Sequence, residues 1–365
     1  MKYILKLIQN KFRHLYLYNI DISISIQNLK LKYNYFDKKM VSFKELGLSN
    51  TRKMFEIALK RRFAVPGYNF SNLEQLQAII IGCGETNSPV ILQNSPEAGE
   101  YANRAMVRYL AEGAVAMAKD FGYQIPIALH LDHGDSFDLA KKCVDNGFSS
   151  VMFDGSHLEY EENIKITKKI VSYAHEREVS VEAELGIIAG IEGNVKVNKP
   201  LYTDPDQVED FVNRTNCDSL AIAIGTSHGA YKFKVEKEED IPELRFDILQ
   251  EIRKRLGKFP IVLHGSSSIP KKYTKIINEY GGTLSKAFGI PEAQLKKATQ
   301  YGVCKINIAT DSRMVFTAMI RKYLAENPDQ IGPRKYLGLA RQELIEMVKQ
   351  RNKETLGSAE QAQYI

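Results

Sequence analysis

Short apolar runs alternate with amphipathic segments along most of the chain. The runs are nearly continuous in Val, Ile, Leu and small residues, which is the pattern of parallel strands covered by helices. The amphipathic segments carry apolar residues at helical spacing, beginning with residues 51–62 just before the first run. The eight runs lie at residues 63–70, 88–95, 125–134, 148–156, 179–186, 218–229, 259–268 and 302–311. Eight strand–helix units predict an α/β fold, a (β/α)8 TIM barrel.

Polar residues cluster at the C-terminal ends of these runs. In a parallel barrel all strands end at one rim, and barrel enzymes build their active sites there. Core packing does not require polar groups at these positions, so the sequence predicts a functional site at this rim. The residues are Asn69, Ser95, Asp132, His133, Asp154, Glu182, Glu184, His228, His264, Asn307 and Asp311.

Three histidines, each followed directly by glycine, stand at the ends of three different runs. They are His133, His228 and His264. A single histidine is more often a satisfied core or surface residue, but three at one rim form a set. Three neutral imidazoles hold Zn²⁺ and leave its fourth position open, which is the arrangement of catalytic zinc sites.

Asp132 directly precedes His133. In a regular strand the two side chains would face opposite ways. At a strand end the chain can turn, so that both side chains reach the site and the carboxylate can exchange a proton with a substrate hydroxyl. The alternative is that Asp132 only orients an imidazole.

Loops of Gly and Ser, at residues 225–232 and 264–268, adjoin two of the histidines. Their N–H groups and hydroxyls can cradle a phosphate, and Lys232 adds positive charge. Alone each loop is a weak signal, but beside metal ligands the two predict a phosphorylated substrate. Arg313 and Arg334 are candidates for a second phosphate, although a surface ion pair is the stronger expectation for either one alone.

Residues 184–194 are rich in glycine and carry Glu192. This pattern is typical of a mobile lid that brings one carboxylate over the site. An ordinary exposed loop with a solvated glutamate explains it equally well.

Residues 1–39 differ in composition from the rest. They hold eight Lys and Arg, two acidic residues and no Gly or Pro, and so account for the whole net charge of +6. The rest of the chain is neutral and gives no signal for nucleic-acid binding. Three interpretations stay open: sequence upstream of a true start at Met40, a disordered basic arm, or a weak targeting peptide. We predict an extension over residues 1–39 and one domain over residues 40–365.

Cysteine usage and hydropathy predict a cytoplasmic protein. The four cysteines form no Cys-x-x-Cys pair and lie in apolar surroundings, as expected of free thiols in a reducing compartment. No run of about 18 apolar residues occurs, so we expect no membrane span.

Several motifs together resemble the class II, zinc-dependent fructose-1,6-bisphosphate aldolases. They are VPGYNF, PVILQ, HLDHGD, GFSSVMFDGSH, VSVEAELG, AIGTSHGAYKF, LHGSSS and KINIATDSRM. The resemblance extends from about Met40 to the C-terminal GSAEQAQYI, and residues 1–39 have no counterpart. It implies reversible cleavage of fructose 1,6-bisphosphate to dihydroxyacetone phosphate and glyceraldehyde 3-phosphate, in glycolysis and gluconeogenesis, through a zinc-stabilised enediolate. No Schiff-base lysine is then required, and Lys305 is the one strand lysine to question.

The resemblance also implies roles for individual residues. Asp132 exchanges the proton of the C4 hydroxyl, and Glu192 handles the proton at the carbon next to the carbonyl. Glu184 resembles an acid near an alternative metal position. The zinc ligands are His133, His228 and His264. The residues that resemble substrate contacts are Asn69, Ser95, Gly229, Lys232, Gly265, Ser266, Ser267, Asn307, Ala309, Thr310, Arg313 and Arg334.

Partners and cofactors follow from the same resemblance. It implies one Zn²⁺ per subunit, a monovalent cation (Na⁺ or K⁺) near the first phosphate, and a homodimer or higher homo-oligomer. Arg334 resembles a residue that reaches across the dimer interface.

One position departs from the fructose-type pattern. Ala309 stands where these aldolases often carry Asp, beside the C4 hydroxyl that distinguishes fructose from tagatose bisphosphate. Alanine there resembles tagatose-bisphosphate aldolases, while the flanking sequence resembles the fructose type, so tagatose 1,6-bisphosphate is the alternative substrate. A zinc hydrolase on the same barrel and a non-catalytic binding protein with a basic arm are the remaining alternatives.

Overall fold

Eight parallel strands hydrogen-bond in chain order and close into a barrel. The computed structural model describes residues 40–192, 195–197, 201–233 and 235–365. The strands outside the barrel are β6 (Gly190–Glu192) and β7 (Val195–Val197), an antiparallel pair. The barrel strands are β1 (Val65–Asn69), β2 (Val90–Asn94), β3 (Ile127–Gly134), β4 (Ser150–Phe153), β5 (Ser180–Leu185), β8 (Ser219–Ile222), β9 (Ile261–Leu263) and β10 (Val303–Ile308). Each barrel strand lies within one of the eight apolar runs, so the predicted fold class is confirmed.

Helices connect the strands. They are α1 (Arg52–Arg61), α2 (Leu73–Glu85), α3 (Pro96–Ala102), α4 (Arg104–Asp120), α5 (Phe137–Asp145), α6 (Tyr160–His175), α7 (Pro205–Thr215), α8 (Phe246–Leu256), α9 (Lys271–Glu279), α10 (Glu292–Gln300), α11 (Thr310–Glu326) and α12 (Pro333–Gln350). The side chains of Asn72, Ser95 and Ser136 each accept a backbone N–H three residues later, at the starts of α2, α3 and α5. These caps satisfy free helix N–H groups and fix where the chain leaves the rim.

The barrel strands are buried because helices cover their outer faces and side chains fill the interior. Helix α1 closes the N-terminal end: Met54, Phe55 and Ala58 form one buried cluster with Ile91 of β2 and Ala128 of β3. The opposite end, where the strands terminate, is thus the end at which polar groups can gather.

After α12 the backbone continues into one π-helical turn, Arg351–Thr355, and a short 3₁₀ helix, Ala362–Tyr364. None of the described helices combines the length and apolar composition needed to cross a bilayer. Val41–Ile365 form one compact unit. The predicted extension over residues 1–39 lies outside the described residues and stays a prediction.

Candidate metal centre and active site

Two neighbouring cavities open at the C-terminal rim of the barrel and share His133 and His228. The larger, of about 390 Å³, reaches Gly190 of β6, the start of α3 and the loops after β3 and β4. The smaller lies against the loops after β8, β9 and β10. Its other lining residues are Asn69, Asp132, Gly229, Lys232, His264, Gly265, Ser266, Ser267, Asn307, Ala309 and Thr310.

Three imidazole rings face one another at this rim. One ring nitrogen from each of His133, His228 and His264 lies within 4.8 Å of the other two. The ring centroid of His133 is 4.5 Å from that of His264 and 5.0 Å from that of His228. The three histidines lie at the end of β3, in the loop after β8 and directly after β9, so closure of the barrel brings them together.

Carboxylates fix the rotation of two of these rings. Nδ1 of His133 lies 3.0 Å from Oδ2 of Asp154, and Nε2 of His264 lies 2.7 Å from Oε1 of Glu182. When each ring donates its N–H to that carboxylate, Nε2 of His133 and Nδ1 of His264 keep their lone pairs, and these two atoms are 2.9 Å apart. Converging lone pairs, with the outer N–H of each ring held by a carboxylate, are typical of histidines that bind a metal ion.

A second group of possible ligands adjoins the first. One ligand atom from each of His133, Asp154 and Glu184 lies within 4.8 Å of the other two. Oε2 of Glu184 is buried without a hydrogen-bond partner and lies 3.8 Å from Nδ1 of His133. A buried carboxylate oxygen without a donor is costly unless a cation satisfies it. The whole donor set, three imidazoles beside this carboxylate, therefore fits a divalent metal ion.

Asp132 and His133 both face the site because the strand turns between them. His133 has φ +49°, and the pairing of β3 with β4 shifts between Leu131 and Gly134. Two amides then hold the carboxylate: Nδ2 of Asn69 donates to Oδ2 of Asp132 at 2.6 Å, and Nδ2 of Asn307 donates to Oδ1 at 3.2 Å. Asp132 is thereby fixed beside the histidines rather than pointed into the strand's outer face.

The charge state of each ring follows from its neighbours. Burial lowers the pKa of His264 and of His228 well below the usual value, and the nearby His133 cation adds to the effect. Burial also opposes charge on His133, but Asp132 and Asp154 outweigh it and raise the pKa of His133 well above the usual value. His228 and His264 are thus neutral, the form that binds a metal. The carboxylates around His133 favour positive charge at that ring, which a proton supplies without a metal and a metal ion would supply in its place.

The pKa values of Asp132 and Glu184 also shift in opposite directions. Burial alone would raise the pKa of Asp132, yet His133, His264 and the hydrogen bond from Asn69 lower it. Burial raises the pKa of Glu184 well above the usual value, and Asp154 adds to this. Asp132 is therefore ionised and can accept a proton, whereas burial favours the protonated form of Glu184 and a bound metal ion would favour its carboxylate.

The glycine loops pack closely around the site. The ammonium of Lys232 donates to the carbonyl oxygens of Ser227 and Gly265, the second at 2.8 Å. Gly265 has φ +62°, and a Cβ there would lie 2.7 Å from the backbone of Ser227. Gly190 of β6 has φ +109°, and a Cβ there would lie 2.3 Å from the carbonyl oxygen of His228. Only glycine permits these approaches, so both loops depend on it for their shape.

A buried ion pair lies beneath His264. The ammonium of Lys305, fully buried inside the barrel, donates to Oε2 of Glu182 at 2.8 Å and lies 3.2 Å from Nε2 of His130. Burial lowers the pKa of His130 well below the usual value, with Lys305 adding to the effect, so His130 is neutral. Lys305 thus balances the charge of the carboxylate that holds His264, and this ion pair accounts for a lysine inside a strand.

We expect Lys305→Met to lower the free energy of unfolding of the metal-free protein by roughly 3–5 kcal/mol, because it leaves the Glu182 carboxylate buried without a cation. Urea denaturation of the chelated protein measures this loss. The double variant Lys305→Met, Glu182→Gln removes both charges and is expected to recover most of it. A loss below about 1 kcal/mol, the value of an exposed pair, would contradict the role assigned to Lys305.

Some predicted site residues lie elsewhere or are only partly described. Ser95 lines the larger cavity, but Arg313 and Arg334 are exposed on α11 and α12 and line neither cavity. Glu192 ends β6, and its side chain lies outside what the structure describes. The roles of these residues in substrate binding stay proposals.

Sequence reasoning missed the supporting contacts of the site. Gln93 of β2 donates to Oδ1 of Asn69 at 2.9 Å and so orients the amide that holds Asp132. Glu182 was visible as a polar residue two positions before Glu184 in an apolar strand, a spacing that puts both on one face. Its partners His264 and Lys305 come from other strands, so the local pattern could not identify them.

Comparison with known proteins supports one family. A family model described as "Fructose-bisphosphate aldolase class-II" matches residues 49–361. The chain is 53% identical over 332 residues to a protein of Treponema pallidum named fructose-bisphosphate aldolase, covering 88% of this chain and 100% of that protein. It is 46% identical over 301 residues to a Giardia intestinalis protein of the same name, covering 82% and 90%.

A solved structure agrees with these relatives. The crystal structure of the YdjI aldolase from Escherichia coli K12 superimposes with a TM-score of 0.68 at 30% identity, covering 86% of this chain and 99% of that one. The family match spans most of the chain and includes the three histidines, Asp132 and both glycine loops. The chain therefore belongs to the class II fructose-bisphosphate aldolase family and is a lyase that depends on a divalent metal ion.

Proposed function

We propose that this enzyme cleaves fructose 1,6-bisphosphate reversibly to dihydroxyacetone phosphate and glyceraldehyde 3-phosphate, with Zn²⁺ held by His133, His228 and His264. The observation that carries the proposal is the convergence of three imidazole nitrogens within 4.8 Å, directly beside an ionised, amide-held Asp132. A zinc ion held there would supply Lewis-acid chemistry at the ketone of the substrate. Metal and base then lie at the same rim as the glycine loops.

Asp132 takes the proton of the C4 hydroxyl as the C3–C4 bond breaks. Its low pKa keeps it in the carboxylate form that accepts a proton, and Asn69 and Asn307 hold both of its oxygens. A fixed carboxylate loses little freedom when it reacts, which is what general base catalysis requires. In the direction of synthesis the same residue returns the proton. Glu192 is proposed to handle the proton at the carbon next to the carbonyl.

The phosphate next to the ketone lies against the loops after β8, β9 and β10. Gly229, Gly265 and Ser267 line the smaller cavity, and Lys232 adds its positive charge between the two loops. Backbone N–H groups and hydroxyls of such loops bind phosphate oxygens well. Ser266, Thr310 and Ala309 complete the wall of this cavity.

The same proposal covers a monovalent cation, the second phosphate, the oligomeric state and the cellular compartment. A monovalent cation, Na⁺ or K⁺, is proposed near this phosphate, and Ser95 with Arg313 near the second phosphate. The enzyme is proposed to act in the cytoplasm as a homodimer or larger homo-oligomer. Exposure of Arg334 at the start of α12 supports a role at the surface between subunits.

Tagatose 1,6-bisphosphate is the second candidate substrate, because Ala309 and Asp132 both line the smaller cavity. The direct test is the cleavage rate of purified protein with each of the two sugars, followed by coupled detection of dihydroxyacetone phosphate. Faster cleavage of fructose bisphosphate supports the proposal, and faster cleavage of its C4 epimer supports the second candidate. Absence of cleavage of either sugar by zinc-loaded protein would overturn both.

We expect Ala309→Asp to raise the ratio of the kcat/KM values for fructose and tagatose bisphosphate by about tenfold, because a carboxylate would discriminate between the two orientations of the C4 hydroxyl. The kcat/KM of each sugar, measured for both proteins, gives this ratio. Ala309→Ser is the matched control, since it adds a polar group without charge. An unchanged ratio would show that residue 309 does not discriminate between the two configurations at C4.

A further inference from the structure

The loop after β9 is held by the start of α11 through a buried carboxylate. Oδ1 of Asp311 accepts the backbone N–H of Ile269 at 2.9 Å, and Oδ2 accepts that of Ser268 at 3.1 Å. Asp311 is 1% exposed. Both of its oxygens are therefore used by the segment that directly follows Ser267 of the smaller cavity.

Ser267 is tied to the same helix. Its hydroxyl accepts the N–H of Ala309 at 3.3 Å and that of Thr310 at 3.1 Å. Ile269 has φ +52°, a conformation that β-branched residues rarely adopt, so its surroundings must hold it there. The hydrogen bond from its N–H to Asp311 is one contact that does so, and the carbonyl of Ser267 also accepts the N–H of Ile290 at 3.2 Å. The loop is thus held in a strained shape by contacts from the start of α11 and from the segment before α10.

Arg351 provides the charge that balances Asp311. It lies where α12 passes into the π-helical turn and is 3% exposed. Its Nη2 donates to Oδ2 of Asp311 at 3.2 Å, and its Nη1 contacts the carboxylate of Glu292. A buried carboxylate is costly without such a cation. Isolated π-helical turns are often found at functional sites, and this one places Arg351 behind the loop.

We propose that Asp311 and Arg351 are positioning residues that hold the loop of residues 265–269 in the shape that binds the substrate phosphate. This rests on the proposed function, in which the loop binds that phosphate. Neither residue lines the smaller cavity, so each acts through the loop. Asp132 and the three histidines are held by other contacts, so the pair governs substrate binding more than the chemical step.

The test is Asp311→Asn in the zinc-loaded enzyme, with KM for fructose 1,6-bisphosphate, kcat, and the inhibition constant of inorganic phosphate as readouts. Loss of a charged partner of two backbone N–H groups is expected to raise both KM and the inhibition constant by about tenfold or more. We expect kcat to change by less than about threefold and zinc content to stay at the wild-type value. Arg351→Lys keeps a cation, and we expect its KM and its inhibition constant for phosphate to lie between those of wild type and of Asp311→Asn.

Asp218→Asn is the matched control. Asp218 is a partly buried carboxylate that accepts bonds from Arg52 and from the N–H of Val181 at the far end of the barrel. We expect the Asp218→Asn variant to have a changed melting temperature and an unchanged inhibition constant for phosphate. A shift in melting temperature for Asp311→Asn with wild-type KM and inhibition constant would overturn the inference. If Asp311→Asn is insoluble, the KM and the phosphate inhibition constant of Arg351→Lys provide the test, and wild-type values for both would overturn the inference.

Two different results separate failure of the proposed function from failure of the role given to Asp311 and Arg351. Wild-type enzyme that neither cleaves the sugar nor binds phosphate would refute the function itself. Wild-type enzyme that does both, alongside an Asp311→Asn variant with the same constants, would refute only the role of Asp311 and Arg351.

Discussion

Replacement of His228 by alanine is expected to lower kcat/KM for fructose 1,6-bisphosphate at least about a thousandfold, because one of three ligands that place the Lewis acid is lost. Among the three rings, His133 and His264 also hydrogen-bond to carboxylates. Removing His228 therefore disturbs the surrounding charge network least and isolates the effect of metal binding. Zinc content after dialysis, measured by mass spectrometry, should fall with the activity.

A second histidine serves as the control for this variant. His175 donates toward Asp218 at 2.8 Å and lies at the end of α6, outside both rim cavities. His175→Ala should keep zinc content and rate. A His228→Ala protein with full zinc content and near wild-type activity would contradict the assignment of the metal centre.

Asp132→Asn is expected to lower kcat by about 10²–10⁴-fold while zinc remains bound, the range that general base catalysis supplies. The substitution keeps the size of the side chain and one oxygen to accept a bond from Asn69 or Asn307. It removes the basic oxygen that would take the C4 proton. Steady-state kcat and the zinc content of the same sample measure the two parts of this prediction.

A partial reaction separates the base from the metal. Exchange of a C3 proton of dihydroxyacetone phosphate with solvent involves no C4 hydroxyl, so Asp132→Asn should retain much more of this exchange than of cleavage. The exchange is followed by NMR in deuterated water. Equal loss of exchange and cleavage would mean that Asp132 acts mainly by supporting the metal site, which was the structural alternative.

The barrel and the position of the site could be predicted from the sequence because both depend on local signals. A parallel strand buried on both faces is a continuous apolar run, and each of the eight runs contains one barrel strand. The three His-Gly pairs lie at ends of such runs, so strand closure alone brings them to one rim.

What could not be predicted depends on pairs distant in sequence. Glu182 holds His264 and is balanced by Lys305, which comes from β10. Arg351 reaches Asp311 from a π-helical turn that no local pattern announces. The turn at His133 was expected only as one of two outcomes, since φ +49° at a non-glycine residue is rare and has no sequence signature. Tertiary packing, not local preference, decides such features.

Metal dependence is tested by the rate of fructose 1,6-bisphosphate cleavage by the purified wild-type protein before chelation, after thorough metal removal, and after addition of Zn²⁺. We expect chelation to abolish cleavage and stoichiometric zinc to restore it, because the three histidines would hold the metal ion that supplies the Lewis acid. Cleavage that survives complete metal removal would contradict metal-dependent catalysis at the three histidines and would point to a lysine, with Lys305 the first to replace.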